Sequence, residues 1–110
     1  MNWFLRDESG KFLWPGYGEN MRVLQWIVER CEGRAQGTES PLGIMPRFEH
    51  LNWRGLEKVS EGRYAQLANI DRAAWKTELA SHDELFGKLG RHLPPALEAH
   101  RGQMHQKLAS

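Results

Sequence analysis

The chain has 110 residues, 40% of them hydrophobic and 26% charged, with a formal net charge of +1 at neutral pH. That size and balance describe one soluble globular domain at most, with acids and bases interleaved so that neither the basic stripe nucleic acid demands nor an acidic tail is present. Cys31 is the single cysteine, which excludes an internal disulfide and suits a reducing, cytoplasmic setting; no apolar run approaches the roughly 18 residues of a membrane span, and the first residues lack the apolar stretch of a signal peptide.

The first predicted element is a short extended piece over residues 1–5. A polar turn over 6–11, centred on Glu8-Ser9-Gly10, leads to a second apolar piece at Phe12-Leu13-Trp14, the pattern of a hairpin or of two loosely paired strands. Pro15-Gly16 marks a tight turn, because Pro presets its own φ and Gly accepts a positive one. A helix follows. Val23, Leu24, Ile27, Val28 and Cys31 form a broad apolar face, which predicts Cys31 as a small buried filler, and Gly33 supplies the stop. Gly, Pro, Ser and Thr then scatter without periodicity, so 34–61 reads as an irregular connection. A structureless stretch of that length in so small a domain points to a packing partner outside this chain.

Residues 62–69 predict a short helical turn. Asp71 caps the next helix, with Ile70 and Trp75 placed as a hydrophobic staple. Trp75, Leu79, His82, Phe86, Leu89 and Leu93 recur on one face of it. Pro94-Pro95 ends that helix and begins another, whose thin stripe is Leu97, Arg101, Met104 and Leu108. The predicted fold class is α+β, mainly helical: short N-terminal extended segments, one well-marked helix, a long loop and C-terminal helices. Residues 1–33, 34–61 and 62–110 are its three stretches.

Chemistry concentrates in the first stretch. Phe4, Phe12, Trp14 and Tyr17 surround a Pro-Gly turn, with Asn20 just behind. A purine has two apolar faces and a polar edge, so aromatic plates and an amide are the groups that would hold one; stacking contributes about 1–3 kcal/mol per base. The same residues also suit a plain structural role, with the rings as core and Asn20 as an N-cap, and the residue types alone leave both open. Elsewhere, His50, His82, His92, His100 and His105 show no metal-ligand spacing, and Lys58, Arg63, Arg72 and Lys76 read as a solvated face. No GxxxxGK[ST] phosphate loop is present.

The run Asn2-Trp3-Phe4, then Gly10-Lys11-Phe12-Leu13-Trp14-Pro15-Gly16-Tyr17-Gly18-Glu19-Asn20, then Arg22-Val23-Leu24 resembles the guanine-binding segment of the GTP-dependent phosphoenolpyruvate carboxykinase family. Weaker likeness continues through Pro41-Leu42-Gly43-Ile44-Met45-Pro46 and Leu51-Asn52-Trp53-Arg54-Gly55-Leu56 to a helical end with Trp75. The resemblance implies the C-terminal portion of that family's nucleotide-binding domain. It implies guanine contacts from Phe4, Phe12, Tyr17 and Asn20, with loop support from Trp3, Trp14, Pro15 and Gly16; Tyr17 stands where the family has phenylalanine. For the intact enzyme, a decarboxylating lyase of gluconeogenesis, it implies conversion of oxaloacetate and GTP to phosphoenolpyruvate, GDP and carbon dioxide with Mn²⁺ or Mg²⁺. The phosphate loop, metal ligands and oxaloacetate-binding arginines of the family all precede the matching segment. The expectation is therefore a fragment with no catalytic and no metal-binding residues, inactive alone, whose partners are a guanine nucleotide and the upstream remainder of the enzyme, with neither nucleic acid nor membrane. A second reading, of another class, is a non-catalytic interaction module that binds a protein through the Trp-rich loop and helical faces.

Overall fold

In the computed structural model, residues 2–110 are described. They form helices α1 (Met21–Cys31), α2 (Glu61–Ala68), α3 (Arg72–Leu89) and α4 (Pro95–Ala109), with strands β1 (Thr38–Ser40) and β2 (Gly43–Met45) paired in a two-stranded sheet. The class is α+β and mainly helical, as the sequence predicts. Two units are distinguished: the described residues up to Ser40 together with Ile44–Asn69, and Pro41–Gly43 with Ile70–Ser110.

In the first unit, the N-terminal segment doubles back as a hairpin. Arg6 and Phe12 form an antiparallel bridge, and the Leu13 N–H donates to the Leu5 carbonyl at 2.9 Å. Asp7 builds the turn: its carboxylate accepts from the Ser9 hydroxyl at 2.6 Å and from the Ser9 and Lys11 N–H groups. The Ser9 hydroxyl, followed by the Lys11 N–H, holds the Asp7 carboxyl below its ordinary pKa.

Helix α1 turns a different face inward from the one its aliphatic residues predict. Trp26 is buried and Val23 half-buried, whereas Leu24, Ile27, Val28 and Cys31 are exposed. A tryptophan carries more apolar area than any of those residues, and the Trp26 indole N–H is matched by the Gln36 carbonyl at 2.9 Å. The indole therefore sets the helix's rotation, and Cys31 is not the buried filler its spacing suggests.

Much of what Trp26 packs against comes from the segment read as irregular. That segment holds β1, β2 and a 3-10 turn at Phe48–His50, and its Leu51, Leu56 and Val59 join Trp26 and Tyr64 in one core cluster. Gly37 allows the closest approach: a Cβ there would lie 2.4 Å from the Ile44 side chain and 3.1 Å from Trp26. Helix α2 is capped by the Ser60 hydroxyl, which accepts from the Arg63 N–H at 3.1 Å. Its Leu67 joins Leu13 and Trp14 in a second cluster beneath the hairpin.

In the second unit, Asp71 caps α3 by accepting from the Ala74 N–H at 3.0 Å. Gly90, at φ 53°, ends it, and Pro95 opens α4. The two helices pack on each other, with Leu79 and Leu108 buried. On the same pair Arg101 bonds both Asp83 and Glu98, and His105 reaches Asp83 at 3.2 Å.

Candidate functional site

The hairpin and the turn after it wall a cleft of about 470 Å³. Alternation along the second hairpin arm is what builds it: Leu13 turns into the core, so Phe12 faces outward. The Phe12 ring is held there by the Arg6 guanidinium, 4.1 Å from its centroid. Phe4 comes from the first arm, its N–H fixed by the Asn2 side-chain oxygen at 2.9 Å. Tyr17 comes from the 3-10 turn Tyr17–Glu19 that follows Pro15 and Gly16. Gly16 has φ 129° and ψ −178°, a conformation open essentially to glycine alone. Its freedom lets the chain leave Trp14 buried and put Tyr17 outside three residues later.

Phe4, Phe12 and Tyr17 are 77%, 46% and 91% exposed. A globular protein does not ordinarily leave three large rings around one concavity uncovered, since each forgoes roughly 1.5–3 kcal/mol of burial. Trp14 and Leu13, by contrast, are core. The Trp14 ring stacks on Trp3 with centroids 6.4 Å apart and meets the edge of Trp53 at 6.3 Å. Tryptophan thus supplies the floor, and the two phenylalanines and the tyrosine supply the open walls.

Asn20 precedes α1 but does not cap it. Its backbone is already helical, at φ −62° and ψ −29°, and its side chain makes no capping bond. The side-chain oxygen instead accepts from the Trp14 indole N–H at 2.7 Å. The amide lines the cleft with Pro15, Gly16 and the rings. All eight residues singled out from the sequence, Trp3, Phe4, Phe12, Trp14, Pro15, Gly16, Tyr17 and Asn20, lie on this one concavity.

Two cationic residues that sequence reading assigned to a solvated face line it too, Lys58 and Arg63. Arg63 reaches from α2 to donate to the Leu13 carbonyl at 2.8 Å and to the Phe12 carbonyl at 3.1 Å. It therefore braces the aromatic arm. No local pattern could reveal this, because donor and acceptors are about 50 residues apart. Among the described residues, no group of three or more His, Cys, Asp or Glu side chains could hold a metal ion, and no helix is long and apolar enough to cross a membrane.

Three open rings, an anchored amide and two cationic residues thus line one cleft. The family model of the phosphoenolpyruvate carboxykinase C-terminal P-loop domain matches residues 1–107. Curated proteins named phosphoenolpyruvate carboxykinase [GTP] align with nearly the whole chain. That of Anaeromyxobacter dehalogenans is 46% identical over 101 residues, covering 92% of this chain and 17% of the relative. That of Paenarthrobacter aurescens is 42% identical over 99 residues, covering 90% and 16%. For an Arthrobacter species the figures are 39% over 109 residues, 99% and 18%. The chain belongs to the GTP-dependent phosphoenolpyruvate carboxykinase family, and it spans under a fifth of the length of these relatives.

Proposed function

We propose that this chain supplies the guanine-holding cleft of a GTP-dependent phosphoenolpyruvate carboxykinase. The observation that carries the reading is the convergence of Phe4, Phe12, Tyr17 and Asn20 on one cleft, with all three rings left open to solvent. The rings stack on the base and Asn20 pairs with its edge; Trp3, Trp14, Pro15 and Gly16 fix the loop. Tyr17 keeps the stacking surface and adds a hydroxyl that faces water.

In the whole enzyme this grip positions GTP for the conversion of oxaloacetate to phosphoenolpyruvate, GDP and carbon dioxide, a cytoplasmic reaction of gluconeogenesis. Phosphoryl transfer depends on positioning and on neutralising charge at the phosphates. The chain has no GxxxxGK[ST] loop and no acidic or histidine cluster suited to Mn²⁺ or Mg²⁺ among its described residues. Those groups belong to other parts of the enzyme, and this chain alone turns over no oxaloacetate. Its partners are the guanine nucleotide and that remainder, for which the uncovered apolar row Leu24, Ile27 and Val28 on α1 is the docking face.

Fluorescence tests the cleft directly, because Trp3 and Trp14 form its floor. GDP is expected to quench the emission of the folded chain more than ADP does, with an affinity in the high-micromolar range or weaker, since stacking on two or three rings at about 1–3 kcal/mol each is nearly all the chain offers. Asn20→Ala removes the difference between the two nucleotides. A folded chain that responds to neither nucleotide, or equally to both, overturns the proposal.

A further inference from the structure

We propose that Trp14 is a positioning residue that sets which base edge the cleft accepts, by holding the Asn20 amide in one of its two orientations; the inference rests on reading the cleft as a base clamp. An asparagine amide has almost the same shape when flipped, but its oxygen accepts hydrogen bonds and its nitrogen donates them. Left free to turn, it serves a base edge carrying a carbonyl as well as one carrying an amino group. It could not by itself tell guanine from adenine.

The Trp14 indole removes that freedom. An indole N–H donates and has no acceptor capacity, so the amide atom 2.7 Å from it is the oxygen on chemical grounds. Flipping the amide would set an NH₂ group against an N–H, leaving two donors unpaired in a part-buried place. Nor can the indole move aside. Trp14 is 2% exposed, packed with Leu13 and Leu67, stacked on Trp3 and met edge-on by Trp53. The Asn20 oxygen is committed, its side chain makes no cap to α1, and its NH₂ group has no acceptor among the described residues. What Asn20 offers the cleft is therefore a donor, which matches a carbonyl at position 6 of a purine and mispairs with an amino group there.

The test compares GDP with the diphosphate of 2,6-diaminopurine riboside, which carries an amino group in place of that carbonyl and, with it, an N1 acceptor in place of the N1–H donor. Affinities are read by NMR titration of the 110-residue chain, because tryptophan emission changes in the variant. The chain is expected to prefer GDP by about five- to tenfold, the effect of one hydrogen bond made rather than mismatched. Trp14→Phe keeps an aromatic floor but frees the amide, and the ratio falls to about twofold or less, mainly because the analogue gains affinity. Asn20→Ala also collapses the ratio, and adding Trp14→Phe to it changes nothing further, as two residues acting through one group require. A folded Trp14→Phe chain that keeps the full preference overturns the role of Trp14 and leaves the clamp standing. An unaltered chain that binds both nucleotides equally, or neither, overturns the clamp itself. Should Trp14→Phe fail to fold, Asn20→Asp decides: the carboxylate still accepts from the indole but shows the cleft an acceptor, so the preference is expected to invert toward the analogue. A retained preference for GDP in Asn20→Asp overturns the proposal.

Discussion

Burial pushes the Tyr64 hydroxyl up to about 12, with the Glu49 carboxylate adding to the effect. The hydroxyl donates to the Pro46 carbonyl at 2.5 Å, and the ring lies edge-on to Trp53, 5.6 Å between centroids. Trp53 in turn meets Trp14, so Tyr64 stands two rings behind the cleft. A pKa raised on folding means that the protonated form belongs to the folded state. The stability it contributes is complete below the ordinary tyrosine value of roughly 10 and is lost as pH rises from there through about 12. Denaturant unfolding measured across that range is expected to show this alkaline loss. Tyr64→Phe should remove the Tyr64 share of it, at a cost near neutrality of about 1 kcal/mol for the lost bond to Pro46. A variant whose alkaline limb matches that of the parent would place the titration elsewhere.

At the scale of elements, α3 and α4 carry an electrostatic clasp. The Arg101 guanidinium, and after it His105, hold the Asp83 carboxyl below its ordinary pKa. A depressed carboxyl contributes stability above its unfolded value of about 3.9 and loses it as pH falls through the lower folded value. Acid titration of helicity is expected to start lower in Asp83→Asn, whose clasp is already gone, and to show a smaller total change below about pH 4; identical curves would discount the clasp. The residues behind it also separate what sequence could reveal from what it could not. The Asp71 cap and the stripe through Trp75, Leu79, His82 and Phe86 were legible because helical period and capping are local rules; its last two members were not part of it, since Leu89 is exposed and Leu93 lies beyond the helix end at Gly90. The α1 face was not, because one tryptophan outweighed four smaller residues. Nor was the role of 34–61: three-residue strands carry too little alternation to register, and Leu51, Leu56 and Val59 find their places only against Trp26. In the cleft, the residue types and family likeness pointed to the rings and Asn20. The Trp14–Asn20 bond and the Arg63 brace belong to tertiary geometry.

For the molecule as a whole, α1 poses the sharpest question, since it has an inner apolar face that this chain buries and an outer one that it leaves to water. Leu24, Ile27 and Val28 form that outer row, with Met21 one turn before Leu24. Contiguous apolar rows of this kind mark interaction surfaces in soluble proteins, and the relatives are about five to six times as long as this chain. If the row is where the rest of the enzyme seats, its removal should matter only when that remainder is there. Ile27→Lys with Val28→Lys is the suitable change, because both positions lie in the second half of α1, where a cation also suits the helix dipole. In this chain both sites are solvent-exposed, so the unfolding free energy should stay within about 0.5 kcal/mol per site. The equivalent changes in the full-length relative from Anaeromyxobacter dehalogenans bury two ammonium groups against apolar surface. They should lower its stability by at least ~2 kcal/mol in total. Equal, small effects in both proteins would mean that the row faces water in the longer protein too, and the docking face would have to be sought elsewhere on the chain.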